Sequence, residues 1–230
     1  MTSTDTLPET FGRDLVTTAR AALEGAAPAL GDLDRRAGDG DFGDNIRTAM
    51  KNLGRELDAG EPADFRGWVT AMSRAWLGVG GTSGPLFGMF FRDLAKASGE
   101  EADAVPTLAQ LADALAAGQA TIQKYGEAEV GDKTMVDALA PAVTALREAL
   151  EKEDDAPAAL SPEEALRDAE SAAVAAAQET AQVTARRGRA SYVGDAAQGV
   201  IYPGAAAMAL VIGALRAAAG GGEVAADWIG

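Results

Sequence analysis

The sequence contains no cysteine and no histidine. No disulfide, thiolate nucleophile or Cys/His zinc site can form. An imidazole base, a phosphohistidine and a Ser-His-Asp triad are equally excluded. Metal chemistry must therefore use oxygen ligands, which suits Mg2+ or Ca2+. Aromatic residues make up only 5%, so the core must be built mainly from Ala, Leu, Val and Met. Ala-rich segments with few β-branched residues favour close-packed helices. Basic residues are also in deficit, with 20 Lys+Arg against 35 Asp+Glu and a net charge of −15. That charge argues against nucleic acid, whose phosphates would be repelled, and against an anionic membrane surface. An anionic ligand must then be held by a local device: a metal, a helix N-terminus or a focused arginine.

Long apolar runs are scarce as well. No segment reads as the roughly 18 apolar residues of a membrane span. The opening MTSTDTLPETF has neither the basic n-region nor the apolar stretch of a signal peptide. These features lead to the expectation of a cytoplasmic protein with no membrane partner. The length of 230 residues suits one domain with a substantial core. We read 1–230 as a single domain, with a core at about 8–219. The tail 220–230, GGGEVAADWIG, is expected to be flexible up to Trp228.

What is present is helical periodicity. Phe11, Leu15, Ala19, Ala22 and Leu23 recur at helical spacing, giving a first helix over 8–26. Seven further runs follow near 43–58, 64–79, 84–98, 106–125, 134–152, 162–186 and 203–219. Pro141 falls inside one of them, where a kink or break is expected. No strand alternation is found, so the fold class is all-α. Between the helices lie loops whose residues are wrong for simple turns. They are GDLDRRAGDGDFGDN, GGTSGPLFG, and GDKTM with GRASYVG and YPG. In an up-and-down bundle, connections separated by two helices emerge at one end, so these loops are expected to meet at a single rim.

In the first loop, Asp34, Asp39 and Asp41 are interleaved with Gly38, Gly40 and Gly43. Packed together dry, three carboxylates would repel one another, and a divalent cation removes that repulsion. A solvated acidic loop, or a cap for the following helix, explains the same residues. The spacing does not fit the EF-hand loop. In the second loop, Gly80, Gly81 and Gly84 let backbone N–H groups approach phosphate oxygens, and Thr82 and Ser83 add hydroxyls. Pro85 suits the first turn of a helix, whose N-terminus favours anions. No GK[ST] follows, so this is not a Walker A motif, and a plain helix–loop–helix turn remains open. In the last, Arg189 suits a transferring phosphoryl group or merely a helix C-terminus, the reading preferred for Arg186 and Arg187. Lys133 reads either as a phosphate contact or as a surface charge.

Taken together, LDRRAGDGDFGDN, GGTSGPLFGMFF, GDKTMVDALAPA and ARRGRASYVG with PGA resemble the L subunit of dihydroxyacetone kinase. They stand in the family's order over about residues 30–215. The resemblance implies an eight-helix antiparallel barrel with a nucleotide at one rim. It implies that Asp34, Asp39 and Asp41 hold two Mg2+ ions bridging the phosphates of ADP or ATP. It carries nucleotide contacts to Phe42, Gly43, Asp44 and Asn45, to Thr82 and Ser83, to Gly126 and Met135, and to Tyr202, Pro203 and Gly204. Arg189 becomes both a nucleotide contact and the catalytic cation. Two positions depart: Phe42 stands where the family usually has His, and Tyr202 where it usually has Asp. Base or ribose recognition is expected to differ accordingly.

The implied partner is a dihydroxyacetone-binding K subunit, with a phosphotransferase-system protein as a second partner where bound ADP is recharged in place. A homodimer is left open. The alternatives are the same module serving another ketose or polyol such as erythrulose, a fatty-acid-kinase type of L domain, and a non-catalytic regulatory L-like protein.

Overall fold

The computed structural model describes residues 7–99, 104–153, 161–186 and 197–230. Among them are eight α-helices: α1 (Phe11–Ala37), α2 (Phe42–Ala59), α3 (Phe65–Leu77), α4 (Ser83–Leu94), α5 (Leu108–Gly126), α6 (Val136–Glu153), α7 (Pro162–Glu179) and α8 (Pro203–Gly220). No strand occurs among the described residues. Each helix packs on its neighbour in the chain, and α8 packs on α1, which closes the ring into an antiparallel barrel.

The apolar stripes explain the ring. Ile46, Ala49, Met50 and Leu53 of α2 recur at helical spacing and are buried, as are Phe65, Trp68, Val69, Met72 and Trp76 of α3. The rings of Phe11 and Phe65 stack with centroids 6.0 Å apart. Helix α8 is buried almost all round, as expected of a helix apolar on every face. By length and composition alone it is apolar enough to cross a membrane, but 83% of it is buried inside the protein. The expectation that no segment reaches that apolarity is corrected here.

Two helix ends also differ from the periodicity reading, and Pro141 does not break its helix. Helix α1 runs through GDLDRRA to Ala37, because Leu30, Leu33 and Ala37 continue its buried stripe. Pro28 lies within it on the exposed face, and Gly31 marks a close helix crossing. At that crossing a Cβ on Gly43 would lie 2.7 Å from the Ala27 carbonyl oxygen. Helix α7 stops at Glu179 and tightens into a 3-10 turn over Thr180–Gln182, where the Thr180 hydroxyl donates to the Ala177 carbonyl at 2.5 Å. Pro141 sits inside α6 without ending it.

The tail is docked rather than loose. Arg216 bonds to Glu170 at 2.8 Å and donates to the carbonyls of Gly221 and Glu223. Ile229 is buried in the core.

Candidate functional site

One cleft of about 320 Å3 opens at the rim where the glycine-rich connections meet. It is lined by Asp34, Asp39, Asp41, Phe42 and Asn45 from the α1–α2 corner, by Gly80 to Ser83 and Leu86 from the start of α4, and by Met135 and Tyr202 to Gly204. The volume falls within the range of small-molecule sites.

The α1–α2 corner is organised by Asp34. It sits on the last turn of α1, not in a loop, and is buried. Its Oδ2 accepts the backbone N–H of Phe42 at 3.0 Å. Burial raises the Asp34 carboxyl above the usual carboxylate range. The Phe42 bond opposes that rise, and the nearby Asp39 adds to it by repulsion and by a shared hydrogen bond. A buried acid pressed against a second acid suits a divalent cation, which would neutralise both. Among the described residues no three acidic side chains are drawn into a ready-made metal cage. The aspartates thus provide part of a coordination shell, as suits an ion that also takes phosphate and water oxygens.

Opposite this corner, the α3–α4 connection turns at Gly81, whose φ of +76° favours glycine. A Cβ on Gly84 would collide with the carbonyl of Val79. Glycine there lets the first turn of α4 lie directly on the preceding loop. Below, Phe42 tilts against Phe87 at 6.3 Å, and Phe87 stacks on Trp76 at 4.6 Å. This aromatic column gives the cleft an apolar floor beside its acidic corner.

Capping differs among the helix starts at the two rims: α1 is uncapped at the far end, and α6 is capped at the cleft through Thr134 and Asp137. Helices α3, α5 and α7 begin at the far end of the barrel, and each has a side-chain cap. Asp64 accepts the Gly67 N–H at 2.7 Å. Thr107 with Gln110, and Ser161 with Glu164, form reciprocal capping boxes. Helices α2, α4 and α8 begin at the cleft, and none has a side-chain cap. At α2 the leading N–H, that of Phe42, is taken by Asp34, while the first turns of α4 and α8 leave N–H groups and positive dipole ends for a ligand.

The third wall depends in part on Asp137 and Thr180, residues not singled out in the sequence. Asp137 accepts the N–H groups of Gly131 and Thr134, both at 2.6 Å, and so shapes the loop before Met135. The T-x-x-D spacing from Thr134 to Asp137 is half of a capping box, a signal the sequence does contain. Lys133 is neither a phosphate contact nor a surface charge. It is wholly buried, and its ammonium donates to the carbonyls of Val183 and Ala197 at 3.1 and 2.7 Å. Tyr202 precedes α8, and its N–H donates to the Thr180 hydroxyl at 2.8 Å. Burial first, and then the charges of Asp34, Asp137 and Asp39, push its phenol up to about 12. The ring is therefore a neutral neighbour of the acidic corner.

The structure thus brings together Asp34, Asp39, Asp41, Phe42, Asn45, Thr82, Ser83, Met135, Tyr202, Pro203 and Gly204. Gly43 and Asp44 do not line the cleft. They border a separate hollow with Arg35 and Arg47, because Gly43 is occupied with the crossing of α1 and α2. Gly126 lies one layer behind, beside Leu86. Arg189 lies outside the described residues.

Comparison with known proteins is consistent with this geometry. The DAK2 domain model matches residues 36–217. The chain is 34% identical over 187 residues to the ADP-binding subunit DhaL of PEP-dependent dihydroxyacetone kinase 1 from Listeria innocua, covering 81% of this chain and 84% of that subunit. It is 38% identical over 190 residues to the L-erythrulose 1-kinase of Mycolicibacterium smegmatis, covering 81% of this chain and 31% of that enzyme. The crystal structure of the dihydroxyacetone kinase from C. freundii in complex with AMP-PNP and Mg2+ superposes with a TM-score of 0.65 at 27% identity, over 92% of this chain and 34% of that one.

Proposed function

The chain belongs to the DAK2 domain family, and on that premise we propose that it is the nucleotide-binding subunit of a dihydroxyacetone kinase. It passes a phosphoryl group from a Mg2+-bound nucleotide to dihydroxyacetone held on a separate K-type subunit. The observation that carries this reading is the uncapped start of α4 and of α8 on the cleft that also holds the acidic corner. In a chain of net charge −15, that rim is where polyphosphate finds donors, and the aspartates accept the cation that accompanies it.

Asp34, Asp39 and Asp41 hold Mg2+, as two ions. Bound there, Mg2+ offsets the charge of the phosphates and of the leaving oxygen. Thr82, Ser83 and the first N–H groups of α4 orient the phosphate chain. Phe42, Leu86 and Met135 supply apolar contact for the nucleoside, with Asn45 as a polar partner. The N-terminus of α8, at Pro203 and Gly204, closes the site from the other side. Arg189, assigned from the sequence, provides the guanidinium for the phosphoryl group in flight.

The acceptor is placed on the separate subunit; the chain has no histidine or cysteine, and so neither an imidazole nor a thiolate to add to the ketone. The Listeria relative is a PEP-dependent kinase subunit. By the same logic the nucleotide stays bound here and is recharged by a phosphotransferase-system protein. We place the reaction in the cytoplasm. A second reading, with erythrulose as acceptor, is favoured by the identity to the L-erythrulose 1-kinase. Both readings are tested by assaying the purified chain with Mg-ATP and each ketose, with and without a K-type subunit. Product only when the K-type subunit is present is expected. Turnover by the chain alone, or none with either ketose and a matched subunit, would contradict the proposal.

A further inference from the structure

Lys133 occupies a position that nucleotide chemistry does not explain. A buried ammonium is costly unless hydrogen-bond acceptors or an anion compensate it. Among the described residues it has no carboxylate partner, only the carbonyls of Val183 and Ala197. Its backbone is in the left-handed region, with φ of +63°, a conformation disfavoured for a residue with a side chain. The loop around it is fixed independently by Asp137.

The two carbonyls are the feet of the connection between α7 and α8. The same neck is drawn together by the Gly199 N–H to the Ala181 carbonyl at 2.8 Å and by the Tyr202 N–H to the Thr180 hydroxyl. A further bond runs from the Arg186 N–H to the Asp132 carbonyl at 3.1 Å. Lys133 thus touches both strands of the neck from one side, and Asp132 beside it touches one of them. Two residues after Lys133 comes Met135, and five after Ala197 comes Tyr202, both on the cleft.

We infer that Lys133 is a positioning residue: its ammonium pins the neck of the α7–α8 connection to the α5–α6 loop and so sets the spacing between the Met135 and Tyr202–Gly204 walls of the cleft. The inference rests on the nucleotide-binding reading given above. The lysine's role is then distinct from phosphate binding. It acts on the nucleotide through the walls and never touches it. A lysine is suited to this, since one ammonium carries three donors on a flexible stem and can satisfy two carbonyls at once. Removing it leaves two buried carbonyls short of a donor and frees one wall from the other.

The test uses Lys133→Met, which keeps length and apolar stem, and a side chain at the same φ, while deleting the charge. Binding of Mg-ADP is measured by calorimetry on folded protein well below its melting temperature. Hydrogen exchange of wild-type amides at 181–186 and 197–202 is followed with and without Mg-ADP. By linkage, a neck that governs nucleotide affinity is itself stabilised by nucleotide. We expect Mg-ADP affinity to fall at least tenfold in the folded variant, and the wild-type neck amides to slow severalfold on binding. A purely structural lysine would lower the melting temperature and leave affinity unchanged, which would overturn the inference. Should the variant not fold, the wild-type exchange decides: neck amides indifferent to Mg-ADP overturn it. Absence of Mg-ADP binding by the wild type would instead overturn the functional reading, and this inference with it.

Discussion

The Phe42 backbone N–H points at the Asp34 carboxylate, 3.0 Å from its Oδ2, and joins the last turn of α1 to the first turn of α2. One carboxylate thus serves the fold and faces the cleft. Its burial, and the neighbouring Asp39, make it a weaker acid than usual despite the Phe42 bond. The sign is definite: a folded-state value raised above the unfolded one favours the protonated form. Asp34 contributes to stability below the ordinary carboxylate range and loses that contribution as pH rises through its folded value.

Asp34→Asn should therefore stabilise the ligand-free protein near neutral pH while weakening Mg-nucleotide binding. The amide oxygen still accepts from Phe42, and the repulsion with Asp39 is gone. A chain of this size shifts by about 2–4 °C for each kcal/mol. The melting temperature without ligand is expected to rise by a few degrees, and the shift produced by Mg-ADP to shrink. A lower melting temperature without ligand, or an unchanged Mg-ADP shift, would count against the assignment.

Glycines 80 and 84 should separate fold from binding. A Cβ on Gly84 meets the Val79 carbonyl, whereas one on Gly80 meets nothing within 4 Å. Gly84→Ala must displace the first turn of α4, at a cost of about 1–3 kcal/mol. Gly80→Ala should leave stability within about 0.5 kcal/mol and place its methyl group toward the cleft, weakening nucleotide binding. Denaturant midpoints together with ADP titration measure both.

Tyr202 stands near Asp34, Asp39 and Asp137 and, with its phenol pushed up to about 12, stays neutral. Tyr202→Asp adds a further carboxylate to that group. The variant should melt lower than wild type without metal and gain more from added Mg2+, because the cation then offsets more repulsion. Melting curves with and without Mg2+ at fixed ionic strength decide this. Equal Mg2+ gains in both proteins would show that position 202 lies outside the field of the metal site.

Much of the architecture was legible in sequence because helical periodicity survives in α2, α3 and α5, where Leu, Met and aromatic residues mark the buried face, and because α8 is apolar on every side. The meeting of the loops at one rim followed from the alternation of an antiparallel bundle. The end of α1 was obscured because Gly31, Asp32, Asp34, Arg35 and Arg36 interrupt a thin stripe of Leu30, Leu33 and Ala37. Gly31 and Gly43 serve a helix crossing, which a local pattern reads as a loop. Gly43 and Asp44 therefore stand off the cleft despite adjoining Phe42 and Asn45. Lys133 was illegible for a different reason. Its partners, Val183 and Ala197, are 50 and 64 residues away, and a lysine that serves backbone carbonyls leaves no pattern of side-chain types.

The central claim is that the cleft binds nucleotide through a metal held by the aspartates. It is tested most directly by calorimetric titration of the purified protein, stripped of bound nucleotide, with ADP in Mg2+ and in EDTA, with Asp39→Asn alongside. Asp39 is exposed, so its substitution should leave the fold intact. One site per chain is expected in Mg2+. Affinity should fall at least tenfold, about 1.4 kcal/mol, both in EDTA and in Asp39→Asn. Equal ADP affinity under all three conditions, or no binding in Mg2+, would contradict the account.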